Sequence, residues 1–291
     1  MTANDNIATL PPATATRENV ETWSGKDRAD ENFPVGSLLI RAGLRPHIHA
    51  FYNFARNADD IADSPSLTPD DKIARLNTME AVLTGAATLG APSATALRAS
   101  LAQTGVPDTH ARELLIAFRQ DATKNRYASW AELLDYCRHS AAPVGRHVLD
   151  LHGESRSTWP ASDALCAALQ IINHLQDCAA DLRNLDRCYI PADMLAEEGA
   201  TIDDLARPET FPPLRAVFDR MLTLTDALNA QAAALPGLVH ARRLSMETAI
   251  IARLARRLTN RLRHRDPLAT RVKLSKADFL AATLLSLGHA L

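Results

Sequence analysis

Two short acidic rows, Asp59-Asp60-Ile61-Ala62-Asp63 and Asp177-Cys178-Ala179-Ala180-Asp181, constrain this chain more than any other feature. Each sets carboxylates one helical turn apart. At about 100° per residue, Gln170, Asn173, Asp177 and Asp181 fall in a narrow stripe on one helix face, with Leu165, Leu169, Ile172, Leu175, Ala179 and Leu182 opposite. A solvated surface helix would carry mixed charges beside such a stripe. No Lys or Arg occurs between Ala164 and Leu182, and the flanks Ala167, Ile171, Cys178 and Ala180 are apolar or small. The pattern reads as a polar row bordering a cavity. The first row repeats it: Pro46 suits a helix start, Ser64-Pro65 a stop, and Tyr52, Arg56, Asp59 and Asp63 share one face while Phe51, Phe54, Ala58 and Ile61 point away.

Two carboxylate rows enclosed in one core repel each other and lose hydration, which drives protonation unless a counter-charge is supplied. A divalent cation cluster supplies it. Mg²⁺ takes oxygen ligands and keeps several waters, so a few carboxylates together with substrate phosphates hold it. Paired Asp rows with little His or Cys nearby therefore suggest Mg²⁺ bridging a diphosphate. On the same argument, Asp177→Asn is expected to abolish diphosphate release while leaving metal-free stability unchanged or higher.

The rest of the chain limits the fold. From Pro46 onward the hydrophobic period is helical, and alternating β-branched runs are absent, so the fold class is all-α. Helical segments are expected at about 69–83, 95–103, 108–124, 129–150, 162–185, 212–234, 238–264 and 275–289. The 291 residues show no composition shift, and the two rows must meet, which argues for a flexible tail over 1–25 and one helical-bundle domain with a central cavity over 26–291. A formal net charge of −2 gives no general attraction to nucleic acid. Cys137, Cys166, Cys178 and Cys188 lack CxxC spacing and read as buried thiols of a reducing compartment. With no signal pattern and no run of eighteen uncharged apolar residues, a cytoplasmic location is expected.

Two stretches keep two readings each. Trp130 to Gly145 begins as an amphipathic helix and becomes a run of small residues broken by Pro143 and Gly145, which suits either tight helix packing or a pocket wall. Tyr136 within it is either a packed aromatic with a satisfied hydroxyl or a lining residue. Near the C-terminus, Arg253, Arg256, Arg257, Arg261, Arg263 and Arg265 suit a solvated helix face, with phosphate binding by one or two of them or by Arg271 as the alternative. No His pair has zinc-ligand spacing with a third partner.

These residues together resemble the squalene/phytoene synthases, the head-to-head prenyl transferases of the all-α isoprenoid synthase fold. The resemblance rests on Glu31-Asn32-Phe33-Pro34, on Phe51 to Asp63, on Tyr136-Cys137-Arg138 with Pro143-Val144-Gly145-Arg146, and on Asn173 to Asp181 followed by Asp186-Arg187-Cys188-Tyr189-Ile190-Pro191. It is strongest to the bacterial hydroxysqualene-forming subgroup of hopanoid biosynthesis. It implies two or three Mg²⁺ ions bound with the substrate diphosphate by Asp59, Asp60, Asp63, Asp177 and Asp181, with Asn173 at the metal. By the same resemblance, Tyr52, Arg56, Gln170, Asn173 and Arg271 bind substrate, and Tyr136 joins Asp59, Asp63, Asp177 and Asp181 in catalysis. There are departures: the basic Ser-Lys-Ser-Phe-like wording of several relatives is Asp30-Glu31-Asn32-Phe33 here, and a late tyrosine is replaced near Arg253.

The implied reaction is Mg²⁺-dependent conversion of presqualene diphosphate to hydroxysqualene, with diphosphate release, water capture and no nicotinamide cofactor. Two alternatives stay open: a phytoene or presqualene diphosphate synthase, and a non-catalytic assembly factor of the same fold. Implied partners are the isoprenoid diphosphate, peripheral contact with a membrane for the hydrophobic product, and other enzymes of the squalene pathway.

Overall fold

The computed structural model describes residues 19–21 and 39–289, and among them every regular element is a helix. Twelve α-helices follow in order: α1 (Arg45–Asp63), α2 (Pro69–Thr84), α3 (Pro92–Thr104), α4 (Thr109–Asp121), α5 (Trp130–Ser140), α6 (Ala142–Leu151), α7 (Trp159–Leu185), α8 (Ala192–Glu198), α9 (Pro212–Ala232), α10 (Leu235–Leu238), α11 (Arg242–His264) and α12 (Lys276–Ser286). The Glu31-Asn32-Phe33-Pro34 motif and nearly all of the proposed tail lie outside the described residues.

Local chemistry sets the boundaries. Thr68 accepts the Asp71 amide at the start of α2, Pro69 follows as a preformed first residue, and Gly85 ends the helix at a φ of 85°. Ser129 caps α5 through the Glu132 amide, and Ser275 with Asp278 forms a capping box on α12. The expected single helix over 129–150 is two helices. The chain breaks at Ala141 (φ −125°, ψ −47°), because Pro143 has no amide proton to donate and restarts the helix as an early residue of α6. Two short helices escaped the periodicity: α8, too brief to show a period, and α10, whose Leu235-Pro236-Gly237 reads as a turn.

The bundle has two halves. α1 packs on α2, α3 and α4, whereas α7 packs on α5, α6, α9 and α11. α4, α5 and α6 touch both sets and join them around a common apolar core that includes Phe54, Ile61, Leu115, Leu133, Ile171, Ile172 and Phe218. At the α6–α7 crossing a Cβ on Gly145 would collide with Ser162 Oγ and would lie 2.8 Å from Cys166 Sγ. Gly145 therefore serves tight packing at this crossing.

Candidate active site

On α1, Tyr52, Arg56, Asp59 and Asp63 form a half-buried stripe, and Phe51, Phe54, Ala58 and Ile61 on the other face are buried, as their spacing predicts. Arg56 organises it. Its Nη1 lies 3.1 Å from Asp59, and its Nε donates to Asp60 at 3.0 Å. Asp60, which the resemblance puts among the metal ligands, is buried beside Arg56 and lies off the half-buried stripe. Asp59 keeps about a third (34%) of its side chain open, yet the enclosing atoms raise its pKa, first by burial and then through repulsion from Asp63, against the attraction of Arg56.

Behind this row lies a buried polar knot. Tyr136, on α5, donates its hydroxyl to Asp121 at the end of α4 over 2.8 Å, and the Tyr189 hydroxyl lies 3.3 Å from that of Tyr136. Arg187 reaches Asp63 at 2.8 Å, donates to the Asp121 carbonyl at 2.9 Å and approaches the Tyr189 hydroxyl at 3.3 Å. Burial pushes the Asp121 pKa up to about 6 against the pull of Arg187 and the Tyr136 hydrogen bond. His174 stacks on Tyr189 at 3.5 Å, touches Gln170 at 3.2 Å, and has its pKa pushed down to about 3 by burial. The packed reading of Tyr136 holds: its hydroxyl is satisfied, and the group that satisfies it is tied through Arg187 to the first acidic row.

The backbone explains how Arg187 arrives there. α7 ends at Asp186, the single non-glycine residue with positive φ (50°) among the described residues, a conformation that Asp tolerates better than most. The chain then runs beside residues 125–128. Cys188 donates to the Asn125 carbonyl at 2.9 Å and Ala192 to the Tyr127 carbonyl at 2.9 Å, which fixes Arg187 and Tyr189 between them.

On α7, Gln170, Asn173, Asp177 and Asp181 are all half-buried, while Ile171, Ile172, Leu175 and Cys178 around them are buried. This is the polar row in an apolar setting that the sequence predicts. Arg271 meets Asp177 through two contacts, 2.9 Å from Nε and 3.0 Å from Nη2, so the late basic residue does reach the second row. The adjacent Val272 carbonyl accepts a hydrogen bond from Gln176, pinning the same loop to α7.

The repulsion argument therefore needs a correction. Arg56, Arg187 and Arg271 each neutralise part of the acidic rows, so cations of the chain itself also offset the conflict that called for a metal. Among the described residues no three His, Cys, Asp or Glu side chains form a ready-made metal cage. The donor set still fits Mg²⁺. Asp59, Asp63, Asn173, Asp177 and Asp181 can each offer an oxygen ligand, as Mg²⁺ requires.

Three residues carry more of this geometry than the sequence reading gave them. Arg187 and Tyr189 stood in a quoted motif without a role, and Asp121 closes an ordinary amphipathic helix with no motif around it. Lys72 of α2 joins the surroundings: burial and then Arg187 lower its pKa.

A sequence model of the squalene/phytoene synthase family matches residues 26–278. The chain belongs to that family. Within the squalene/phytoene synthases, it is 46% identical over 265 residues to a hydroxysqualene synthase of Zymomonas mobilis, covering 90% of this chain and 89% of that one. It is also 46% identical over 263 residues to a hydroxysqualene synthase of Rhodopseudomonas palustris, covering 90% of each. The crystal structure of squalene synthase HpnC from Alicyclobacillus acidocaldarius superimposes with a TM-score of 0.72 at 32% identity, over 81% of this chain and 90% of that one. The all-α expectation and the family resemblance both stand.

Proposed function

We propose that this squalene/phytoene synthase converts presqualene diphosphate to hydroxysqualene in an Mg²⁺-dependent reaction. The observation that supports it best is the arginine contact to both acidic rows, with the first row tied through Arg187 to the buried Tyr136–Asp121–Tyr189 knot. The hydroxysqualene synthases that are 46% identical over about 90% of the chain support the choice of product.

Asp59, Asp63, Asn173, Asp177 and Asp181 would hold the Mg²⁺, with Asp60 positioning Arg56. When bound, the metal neutralises charge developing on the departing diphosphate. Arg56 and Arg271 add fixed positive charge at the two rows and orient the same group. As the C–O bond breaks, its electron pair leaves with the diphosphate, and the apolar core keeps bulk water from the carbocation. One water then gives its oxygen to carbon. The hydroxyls of Tyr136 and Tyr189 would hold that water, and a hydroxyl that accepts the proton the water loses would pass its own to the Asp121 carboxylate to which it donates. No hydride donor enters this balance, so no nicotinamide cofactor is required.

The test is incubation of the protein with presqualene diphosphate and Mg²⁺ in ¹⁸O-labelled water, followed by mass spectrometry. A C30 alcohol carrying the label is expected. Squalene formed only with NADPH, a conjugated triene formed by proton loss, or no diphosphate release at all would overturn the reading.

A further inference from the structure

Outside the proposed site, the largest departure from an ordinary surface is at the C-terminal end. Of the eight most exposed large apolar side chains among the described residues, four fall between positions 280 and 287: Leu280, Leu284, Leu285 and Leu287, at 47 to 65% exposure. On α12 the buried positions are Asp278, Ala282 and Ser286, one turn apart. At 100° per residue, Leu280 and Leu284 stand on the opposite side, facing outward, and Leu287 follows just past the helix end. Leu285 lies between the two faces. A stripe of adjacent exposed leucines marks an interaction surface, unlike apolar residues scattered singly.

Beside this stripe runs a basic groove. A cavity of about 530 Å³ is lined by Arg253, Arg256, Arg257, Asn260 and Arg263 of α11 together with Asp226, Ala282 and Leu285, so Leu285 joins the arginines to the leucine stripe beside it. The arrangement is held firmly. Arg253 bonds Ser286 at 3.1 Å, and the buried Asp278 takes Arg257 at 2.8 Å and Arg261 at 2.6 Å, locking α12 onto α11. Arg263 is paired with Asp226. Arg256 is exposed with no ion pair among the described residues, and Arg253 bonds only a neutral hydroxyl. In a chain of net charge −2, this concentration of arginine around a single lining carboxylate is a local feature.

We propose that the outward face of α12 and the α11 groove dock this protein on the surface of an anionic phospholipid bilayer. The leucines would enter the headgroup–acyl boundary while Arg253 and Arg256 meet lipid phosphates. Apolar side chains flanked by arginines match that layered chemistry. A second copy of the chain is a poorer occupant, because a two-fold contact would set one arginine groove near another. Exposed leucines likewise gain nothing from a nucleic acid backbone. The loop leading into α12 carries Arg271 and Val272 against the second acidic row, so the docking face is covalently continuous with the proposed site.

The test needs no substrate, so its result is independent of the reaction proposed above. Co-sedimentation of the full chain with vesicles of phosphatidylcholine alone, or mixed equally with phosphatidylglycerol, is expected to show at least about tenfold tighter binding to the mixed vesicles. Arg256→Glu and Leu284→Gln are each expected to weaken that binding about tenfold while keeping wild-type circular dichroism and a wild-type melting temperature. Equal binding to both vesicle types, no binding to either, or undiminished binding by Leu284→Gln would overturn the proposal. So would a vesicle-free dimer, seen by sedimentation equilibrium, that Leu284→Gln dissociates, since a second copy would then be the occupant.

Discussion

Asp59 and Asp177 hold matching positions in the two rows but meet different electrostatics. Asp177 has a two-pronged arginine partner at a partly open site, an arrangement worth about 0–1 kcal/mol. Asp59 shares Arg56 with Asp60, and burial first and then the repulsion of Asp63 leave its charged form disfavoured. The expectation that an Asn substitution leaves metal-free stability unchanged or higher therefore belongs to Asp59. Thermal melts without Mg²⁺ should show Asp59→Asn at or above the wild type and Asp177→Asn at or slightly below it, with diphosphate release lost in both. A second residue-scale prediction concerns His147. It stacks on Phe51 at 3.9 Å, neither ring nitrogen has a protein partner, and burial lowers its pKa to about 3. A depressed histidine pKa means that the unfolded chain binds the proton first, so stability present above about pH 6.5 is lost as pH falls toward 3. For His147 alone the loss between pH 6.5 and 5 is about 2 kcal/mol; the likewise lowered His174 adds to it, and the raised pKa values of Asp59 and Asp121 oppose it. His147→Phe keeps the ring stack and should flatten the acid limb by about 2 kcal/mol in urea unfolding at the two pH values. At this scale the stripe residues were legible because helical periodicity places them. Asp121 and His147 were not, since only the meeting of distant helices shows what surrounds a lone polar residue.

Helix type and order follow from local signals, and most starts and stops sit at the prolines, glycines and Ser/Thr caps visible in the sequence. Within the stretch from Trp130 to Gly145, the balance between packing and a pocket wall was not legible, because it depends on which side of α6 meets α7. The contact of Gly145 with Ser162 and Cys166 shows packing there. Gly145→Ala is accordingly expected to cost about 1–3 kcal/mol, toward the low end because both clashing atoms end rotatable side chains. That corresponds to a fall in Tm of roughly 2–4 °C per kcal/mol. Adding Ser162→Ala and Cys166→Ala should recover part of the loss, and an unchanged Tm for Gly145→Ala alone would contradict the packing reading. The strap after α7 is the other element-scale lesson. Asp186-Arg187-Cys188-Tyr189 carried a family likeness, but its role arises from the αL turn at Asp186 and the pairing with residues 125–128, which place Arg187 between Asp63 and Asp121.

Across the whole molecule, two half-buried acidic stripes on different halves of the bundle are each held by an arginine, and a buried hydroxyl–carboxylate knot is tied to the first. No helix of the described residues is long and apolar enough to cross a membrane. The central claim is that both stripes act on one diphosphate through shared Mg²⁺. Isothermal calorimetry with inorganic diphosphate tests it directly, using the wild type, the Asp59→Asn/Asp63→Asn variant and the Asp177→Asn/Asp181→Asn variant, each with and without Mg²⁺ and each checked for folding by circular dichroism. The account expects tight binding by the wild type only when Mg²⁺ is present, and its loss in both double variants. Binding that survives removal of either stripe, or that ignores Mg²⁺, would contradict it.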